Sequence, residues 1–281
     1  MLLIKTAQQL DIELKRLRKG GATIGFVPTM GALHQGHISL LKTAQKRSKI
    51  TVCSIFVNPT QFNDPADFEK YPITLNRDIE MLVDAGCDIL YLPSVKEMYP
   101  DGFKQNNPIN FGFLAETLEG EHRPGHFAGM AQVVEKLLRM VKPHMLFMGL
   151  KDYQQQLIVG ELIRKRRFKT QLVALPTLRE KDGLAMSSRN VRLDEAARKT
   201  AVQLSQTLSW LKKKLETRNS ELGTVEREAA EKLKSNPAIE LEYLQIRNAN
   251  TLALPKTKKE KLVALVAAKI GGVRLIDNML L

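Results

Sequence analysis

The sequence contains few residues that could build a disulfide scaffold, a metal cluster or a membrane anchor. Only two cysteines occur among 281 residues, Cys53 and Cys87, and each lies in an apolar run typical of a buried strand or its approach. We therefore expect both to be free thiols with a packing role. No apolar run reaches the ~18 residues that a membrane span needs, and the first residues lack the features of a signal peptide. These absences predict a cytoplasmic protein with no membrane association.

Charge of one sign dominates, since the chain carries a formal net charge of +13. A basic surface attracts phosphate, so one interpretation is nucleic-acid binding. The other is a basic proteome or an anionic small substrate. The densest cluster, residues 164–169, lies at the end of a helical pattern, where cations suit the helix dipole. No recognised nucleic-acid motif accompanies the clusters, and we expect no nucleic-acid partner.

The first part of the chain alternates short apolar runs with amphipathic stretches. Continuous apolar strands alternating with helices indicate a parallel sheet covered on both faces. Ligands of such folds bind beyond the carboxyl ends of the strands. Predicted strands cover residues 23–27, 50–57, 89–92, 145–148 and 172–175, and predicted helices cover residues 38–46, 75–85, 130–141 and 152–165.

After Pro176 the pattern changes. Asp194 is placed to cap a long helix that runs to about residue 216. A second helix and three strands follow, which indicates a separate small α+β domain. The predicted fold class is α/β, with a Rossmann-like parallel-sheet domain over residues 1–176 and a smaller α+β domain over residues 177–281. In the second domain the later elements cover residues 225–234, 239–246, 262–268 and 273–276.

The first predicted strand runs into a glycine-containing turn before a helix. Such a turn presents free backbone N–H groups and a positive helix end, which suit phosphate. Gly31 and Gly36 have the spacing of a Walker A loop, but His37 stands where that motif has Lys and Ile38 where it has Ser or Thr. The Walker interpretation therefore fails.

Two histidines remain in this turn, His34 and His37, three residues apart and able to face the same side. Imidazoles beside bound phosphates can donate N–H bonds to charge developing on an α-phosphate. The alternative is a pair of surface histidines or one core histidine. The arrangement resembles the HxGH signature of the superfamily that includes class I aminoacyl-tRNA synthetases and cytidylyltransferases, which implies nucleotidyl transfer.

A basic, hydroxyl-rich segment at residues 179–190 follows the last predicted sheet strand. Ser187 and Ser188 offer hydroxyl donors, and Arg189 offers a planar fork that matches phosphate. The alternative is a solvated linker between domains. Together with the histidines, the segment fits the mobile loop that closes over the phosphates in that superfamily.

Several further segments together resemble the pantothenate synthetase family. The resemblance follows the order and spacing of that family from about residue 23 to residue 190, and the C-terminal region resembles it mainly in length and pattern. The matching segments are residues 28–37, 56–62, 71–72 with Thr74, 118–120, 123–124, 126–129, Gly149, 151–155 and 186–190.

The resemblance implies an ATP-dependent ligase that joins pantoate to β-alanine through a pantoyl adenylate and releases AMP and pyrophosphate. It implies His37, His34 and Lys151 as catalytic groups, and Mg²⁺ that comes with ATP. It also suggests a homodimer. The ATP-binding residues that it implies are Met30, Gly31, Ala32, Leu33, His34, Gln35, Gly36, His37, Gly149, Leu150, Lys151, Asp152, Leu178, Met186, Ser187, Ser188 and Arg189.

Neutral amides suit pantoate because its carboxylate must remain nucleophilic. An ion pair with a guanidinium would lower that nucleophilicity. Gln61 and Gln155 are therefore assigned to pantoate by the resemblance, although Gln61 alone would be an ordinary turn residue. Met30, Phe62, Val133 and Val134 could form an apolar wall, or the valines could be core. Asn58, Arg123 and His126 are further candidates, with a structural ion pair from Arg123 to Glu119 or Glu121 as the alternative. The predicted pantoate and β-alanine set is Gln61, Gln155, Asn58, Phe62, Arg123 and His126.

The sequence departs from the family pattern at two places. Leu150 stands where many members have Glu, which we expect to change a neighbouring contact and not the chemistry. Residues 76–78 are less acidic than in some relatives, so only Asp78 remains to approach a metal, and no metal ligand is assigned. Rival interpretations are a nucleotidyltransferase with a phosphorylated acceptor, an RNA-binding synthetase paralogue and a catalytically inactive relative.

Overall fold

A computed structural model describes residues 1–62, 65–105, 107–217 and 221–281. The chain divides into two compact units. The first unit contains Met1–Leu150 and Gln155–Pro176, and the second contains Lys151–Gln154 and Thr177–Leu281.

The first unit is built on a six-stranded parallel sheet with the strand order β1-β4-β3-β2-β5-β6. Every pairing in this sheet is parallel. The strands are β1 (Leu2–Ile4), β2 (Ile24–Thr29), β3 (Ile50–Ile55), β4 (Ile89–Tyr91), β5 (Met145–Gly149) and β6 (Gln171–Leu175).

Helices connect these strands. The helices are α1 (Ala7–Lys19), α2 (Gln35–Arg47), α3 (Pro65–Glu69), α4 (Leu75–Asp84), α5 (Val95–Met98), α6 (Phe113–Glu116), α7 (Glu119–His122), α8 (His126–Val141) and α9 (Tyr153–Lys165). Two 3₁₀ turns, Pro59–Gln61 and Leu150–Asp152, follow β3 and β5.

The sheet is buried on both faces because neighbouring residues of each strand belong to different core clusters. Phe26 packs with α1, α8 and α9, whereas the next residue, Val27, packs with α2 and α4. Leu146 and Phe147 of β5 repeat this alternation. Double burial accounts for the continuous apolar runs that predicted a parallel sheet, and that prediction is confirmed.

The sequence did not predict β1, α1 or the short helices α3, α5, α6 and α7. β1 is three residues long, and only Ile4 of it is buried, so its pattern is too short to detect. α1 buries only Leu10 and Leu14. Two helices begin earlier than predicted: α2 begins at Gln35, three residues before residue 38, and α8 begins at His126, one turn before residue 130, after the left-handed Gly125.

Within its described residues, the second unit contains two α-helices and a three-stranded antiparallel sheet with the order β7-β8-β9. Asp194 caps the first helix, since its carboxylate accepts a hydrogen bond of 2.7 Å from the Ala197 N–H. Helices followed by strands confirm the predicted α+β class. The elements are α10 (Glu195–Leu215), α11 (Leu222–Lys234), β7 (Glu240–Asn248), β8 (Leu262–Ile270) and β9 (Val273–Leu280).

Both cysteines are free and lie in the core of the first unit. Burial raises the pKa of the Cys87 thiol to about 11 and raises that of Cys53 well above its usual range. Such thiols are poor nucleophiles near neutral pH. Among the helices in the described part of the chain, none is long and apolar enough to cross a membrane.

Candidate functional site

The predicted site residues of the first unit follow the carboxyl ends of neighbouring strands. The loop that contains Met30 follows β2, the 3₁₀ turn that contains Gln61 follows β3, and Gly149 ends β5. Gln155 lies in the first turn of α9, beyond β5. Since β2 pairs with both β3 and β5, the sheet order brings these segments to one edge. This edge is where parallel α/β sheets bind ligands.

The loop between β2 and α2 has an uncommon backbone. Gly31 has a φ of 81° and Ala32 a φ of 47°, so two successive residues are left-handed. For a residue with a Cβ this conformation costs on the order of 1 kcal/mol or more. Something outside the loop must therefore hold it.

The carboxylate of Asp78 holds this loop. Its Oδ2 accepts the Ala32 N–H and its Oδ1 accepts the Leu33 N–H, each at 2.8 Å. The Thr74 hydroxyl also donates to Oδ1, at 2.9 Å. Asp78 is only 1% exposed, and hydrogen bonds to charged groups in such surroundings are stronger than neutral ones.

These contacts correct one expectation about the loop. The sequence predicted free backbone N–H groups that would bind phosphate, but that prediction is wrong for residues 31–33. The Gly31 N–H donates to the Thr29 hydroxyl at 3.2 Å, and the next two donate to Asp78. The buried carboxylate takes the place that an anionic ligand would have, so any contact with phosphate from this segment must come from side chains or from α2.

The helix α2 begins at the two predicted histidines. His34 caps the helix, and its Nδ1 accepts the Gly36 N–H at 3.1 Å. His37 Nδ1 accepts the His34 N–H at 3.3 Å, and the two ring centroids lie 4.0 Å apart. Because each Nδ1 is an acceptor, each neutral ring carries its proton on Nε2. The capping of α2 therefore makes both Nε2 atoms donors at the positive end of a helix.

The turn that carries Gln61 is fixed from several sides. Asn58, 1% exposed, donates from Nδ2 to the Gly129 carbonyl at 3.2 Å and accepts the Tyr99 hydroxyl at 2.7 Å. A Cβ on Gly129 would lie 1.9 Å from the Thr60 carbonyl oxygen, so only glycine lets α8 approach this turn. The Asn58 amide is thus engaged within the protein, and its predicted direct contact with substrate stays a prediction.

Arg123 and His126 also act on this turn. His126 Nδ1 lies 2.8 Å from the Gln61 carbonyl oxygen, and its Nε2 lies 3.2 Å from the Arg123 guanidinium. Since the carbonyl can only accept and the guanidinium can only donate, His126 is neutral with its proton on Nδ1. Arg123 also forms an ion pair of 3.8 Å with Glu119, the predicted structural alternative.

The apolar residues predicted beside the site have different surroundings. Phe62 packs edge-on against Phe68 and Tyr71, with ring centroids 5.2 and 5.6 Å apart. Val133 and Val134 belong to the core between the sheet and its helices. Only ordinary core packing is visible for the two valines.

Met30 lines an apolar cavity of about 280 Å³ at the same edge of the sheet. Its walls come from the ends of β2, β3 and β4 and from the start of α4, including Phe56, Leu75, Asp78 and Pro93. Ile73, Leu75 and residues 92–95 were not predicted beside the site, because they carry no recognisable polar pattern. Thr74 was noticed in the sequence, and its contact with Asp78 explains it.

The predicted residues Lys151, Asp152, Leu178 and 186–189 lie in the second unit, whereas Gln35 and Leu150 lie in the first. Lys151 is 18% exposed and its Nζ lies 3.4 Å from the half-exposed Asp152 carboxylate. Arg179 and Ala185 form a β-bridge, and the Met186 N–H donates to the Leu178 carbonyl at 3.0 Å, so residues 178–186 form a small hairpin. Ser187 then caps a 3₁₀ turn, Ser188–Arg192, by accepting the Arg189 N–H at 3.2 Å.

Comparison with known proteins identifies the family. A family model described as pantoate-beta-alanine ligase matches residues 2–280. The chain belongs to the pantoate–β-alanine ligase family. The pantothenate synthetase of Cytophaga hutchinsonii is 42% identical over 283 residues, which cover 100% of this chain and 99% of that protein. That of Acetivibrio thermocellus is 38% identical over 280 residues, with 100% and 99% coverage.

Solved structures of the pantoate–β-alanine ligase family share the fold. The pantothenate synthetase of Thermus thermophilus has a TM-score of 0.93 at 38% identity, covering 99% of each chain. The pantoate-beta-alanine ligase of Francisella tularensis, crystallised with beta-gamma ATP and beta-alanine, has a TM-score of 0.82 at 37% identity, covering 100% of this chain and 97% of that one. The family resemblance and the fold class inferred from the sequence are thus confirmed.

The contact between Asp78 and the loop predicts a specific defect. Asp78→Asn places amide hydrogens against at least one loop N–H, so we expect the free energy of unfolding to fall by about 1–3 kcal/mol. We also expect turnover in the ligase reaction to fall at least about tenfold, because the loop shifts. Urea denaturation and steady-state turnover measure the two effects.

Asp88→Asn is the matched control for this prediction. The Asp88 carboxylate likewise accepts a backbone N–H and a hydroxyl, both from Thr51, at 2.7 and 2.8 Å, but it lies at the amino edge of the sheet. Both of these bonds go to Oδ2, so the amide oxygen of the variant can accept them. We therefore expect Asp88→Asn to lose less stability than Asp78→Asn and to keep its turnover. Equal turnover in the two variants would show that the loop does not depend on Asp78.

Two substitutions distinguish the roles of the two ring nitrogens of His37. Asn places an acceptor near the Nδ1 position and Gln places a donor near the Nε2 position. We expect His37→Asn to keep the cap and lower the rate of the chemical step by about 10²–10³-fold. We expect His37→Gln to lose about 1 kcal/mol of stability with the cap and to keep more of the rate. Thermal unfolding and single-turnover kinetics report both, and an Asn variant as fast as the Gln variant contradicts the assignment.

Proposed function

We propose that the chain condenses pantoate with β-alanine at the expense of ATP, through a pantoyl adenylate, and releases AMP and pyrophosphate. The observation that carries the proposal is the capping of α2 through the Nδ1 atoms of His34 and His37, from which we infer two Nε2–H donors, together with membership of the pantoate–β-alanine ligase family. The Francisella tularensis relative was crystallised with beta-gamma ATP and beta-alanine, which supports both substrates.

In the first step a carboxylate oxygen of pantoate attacks the α-phosphorus of ATP. The bond from that phosphorus to the oxygen that bridges to the β-phosphate breaks, and pyrophosphate leaves. Negative charge grows on the non-bridging α-phosphate oxygens during this displacement. Donors that are already oriented stabilise such charge at no reorganisation cost, and we assign His34 and His37 to this role.

The other groups bind the nucleotide. We assign Lys151, Ser187, Ser188 and Arg189 to the triphosphate, since their cations and hydroxyls suit phosphate oxygens. Asp152, whose carboxylate is about half exposed, suits the ribose hydroxyls. The remaining predicted nucleotide contacts come from Gly149, Leu150, Leu178 and Met186 with the loop and first turn of α2.

Pantoate is assigned to the two glutamines. Gln61 and Gln155 can bind its hydroxyls and carboxylate without adding a charge that would weaken the nucleophile. Arg123 and His126 contact the Gln61 carbonyl, so we assign them to the orientation of this turn in addition to the predicted substrate contacts. Phe62 and Met30 suit the dimethyl group of pantoate.

In the second step the amine of β-alanine attacks the acyl carbon of the adenylate. The new C–N bond forms, the C–O bond to AMP breaks, and the amine loses a proton. Because the carboxylate has been converted into a mixed anhydride, the leaving group is a phosphate monoester and the amide forms without a covalent enzyme intermediate.

We propose that Mg²⁺ arrives bound to the phosphates of ATP. Within the described ranges, no group of three His, Cys, Asp or Glu side chains could hold a metal ion. Asp78 already accepts three hydrogen bonds. Mg²⁺ keeps several waters and is commonly held through substrate phosphates. The homodimer, the cytoplasmic location and the lack of a nucleic-acid partner stay predictions.

Pyrophosphate exchange tests the proposed first step. With Mg²⁺ and ATP but without β-alanine, labelled pyrophosphate should enter ATP only when pantoate is present. The label enters because adenylate formation is reversible and pyrophosphate converts the adenylate back into ATP and pantoate. β-Alanine should then drain the adenylate and produce pantothenate and AMP in equal amounts. Chelation of Mg²⁺ should stop exchange and added Mg²⁺ should restore it. A folded protein that binds ATP yet shows no pantoate-dependent exchange would contradict the proposal.

A further inference from the structure

Two adjacent polar residues are buried near the end of the last strand of the second unit. Asp277 is 4% and Asn278 is 7% exposed, although neighbouring β9 residues such as Leu275 belong to an apolar core. Successive residues of a strand point to opposite faces. Burying polar groups is costly unless they are hydrogen-bonded, so the partners of these two side chains indicate what they do.

The Asp277 carboxylate binds Arg179, the first residue of the basic segment 179–190. Arg179 donates from Nη1 to Oδ2 at 2.7 Å and from Nη2 to Oδ1 at 3.0 Å, a bidentate pair. The same guanidinium reaches the Gly183 carbonyl at 3.1 Å and the Asn278 carbonyl at 3.3 Å. One arginine therefore closes the hairpin of residues 178–186 and ties it to β9.

The hairpin leads directly into the residues assigned to the triphosphate. Its last residue, Met186, is bonded to Leu178, and Ser187, Ser188 and Arg189 follow without a spacer. A hairpin held at Arg179 sets the position from which these residues start.

Asn278 binds the other segment assigned to the triphosphate. Its Nδ2 donates to the Lys151 carbonyl at 2.8 Å. Its own backbone N–H donates to Asp277 Oδ1 at 2.7 Å, so the two residues share one carboxylate. A second hydrogen bond holds this segment two residues further along, where the Tyr153 hydroxyl donates to the Ala249 carbonyl at 2.8 Å. Both bonds lie within the second unit, which includes Lys151–Gln154.

We propose that Asp277 and Asn278 are positioning residues that hold Lys151 and residues 187–189 at a fixed separation for the triphosphate. Neither side chain contacts ATP in this proposal. Asn278 acts through the backbone of Lys151, and Asp277 acts through Arg179. The inference rests on the proposed function, since it assumes that both segments bind phosphate. It gives a strand of the smaller domain a role in positioning the groups assigned to the triphosphate.

The test is a double-mutant cycle between Asn278 and Lys151. Asn278→Ala should lower the pantoate-dependent exchange rate by about 10–100-fold, because a displacement of about 1 Å costs that much. In the Lys151→Ala background the same change should have less than about a twofold effect, since no ammonium remains to be placed. Equal losses in both backgrounds, or no loss with Lys151 present, would overturn the proposal.

Glu242→Gln is the matched control. Glu242 of β7 forms an ion pair with Arg274 of β9 at 2.8 Å, in the same sheet. It should lower thermal stability without changing the exchange rate. If Asn278→Ala fails to fold, Asn278→Ser keeps a donor in a smaller side chain and carries the same cycle. Asp277→Asn should slow exchange as well, and an Asp277 variant with the exchange rate of Glu242→Gln would remove Asp277 from the proposal.

ATP binding measured by calorimetry separates this inference from the proposed function. If the wild-type protein shows no pantoate-dependent exchange, the proposed reaction fails. The cycle is then read from the Kd for ATP: coupling between Asn278 and Lys151 supports the positioning role, and additive losses overturn it.

Discussion

The site of the first unit depends on one buried carboxylate. Asp78 accepts two successive N–H groups from a loop whose residues Gly31 and Ala32 are left-handed. Without that acceptor the loop would have buried donors without partners and a strained alanine, each costing on the order of 1 kcal/mol or more. The path of this loop determines where α2 begins, and the start of α2 determines the position and orientation of the two imidazoles. A contact 46 residues away in sequence therefore fixes the orientation of the groups assigned to the chemistry.

The two imidazoles illustrate how secondary structure can determine a tautomer. Helix capping uses the Nδ1 atoms of His34 and His37, which leaves the proton of each neutral ring on Nε2. His126 has the opposite arrangement, because a carbonyl faces its Nδ1 and a guanidinium faces its Nε2. In the second unit, hydrogen bonds from β9 likewise hold the Lys151 backbone and the hairpin of residues 178–186.

The sequence predicted the fold where burial leaves a strong pattern. β2, β3 and β5 are apolar on both faces, so their runs are continuous and were recognised. β1 and α1 were missed because each buries only one or two side chains, and the start of α8 was misplaced because Gly125 gives no periodic signal. The histidine pair was found from its motif alone. The roles of Asp78, Gly129 and Asn278 were not predicted, since they arise from contacts between residues far apart in sequence.

A measurement of the histidine tautomers tests whether the capping of α2 makes both Nε2 atoms donors. The chain has five histidines, so two-bond ¹⁵N–¹H correlation spectra above their titration range can be assigned with single Asn variants. We expect the Nε2–H form for His34 and His37. We expect the Nδ1–H form for His126, which gives a comparison within the same spectrum. An Nδ1–H form at His34 or His37 would contradict the claim that helix capping prepares them as donors.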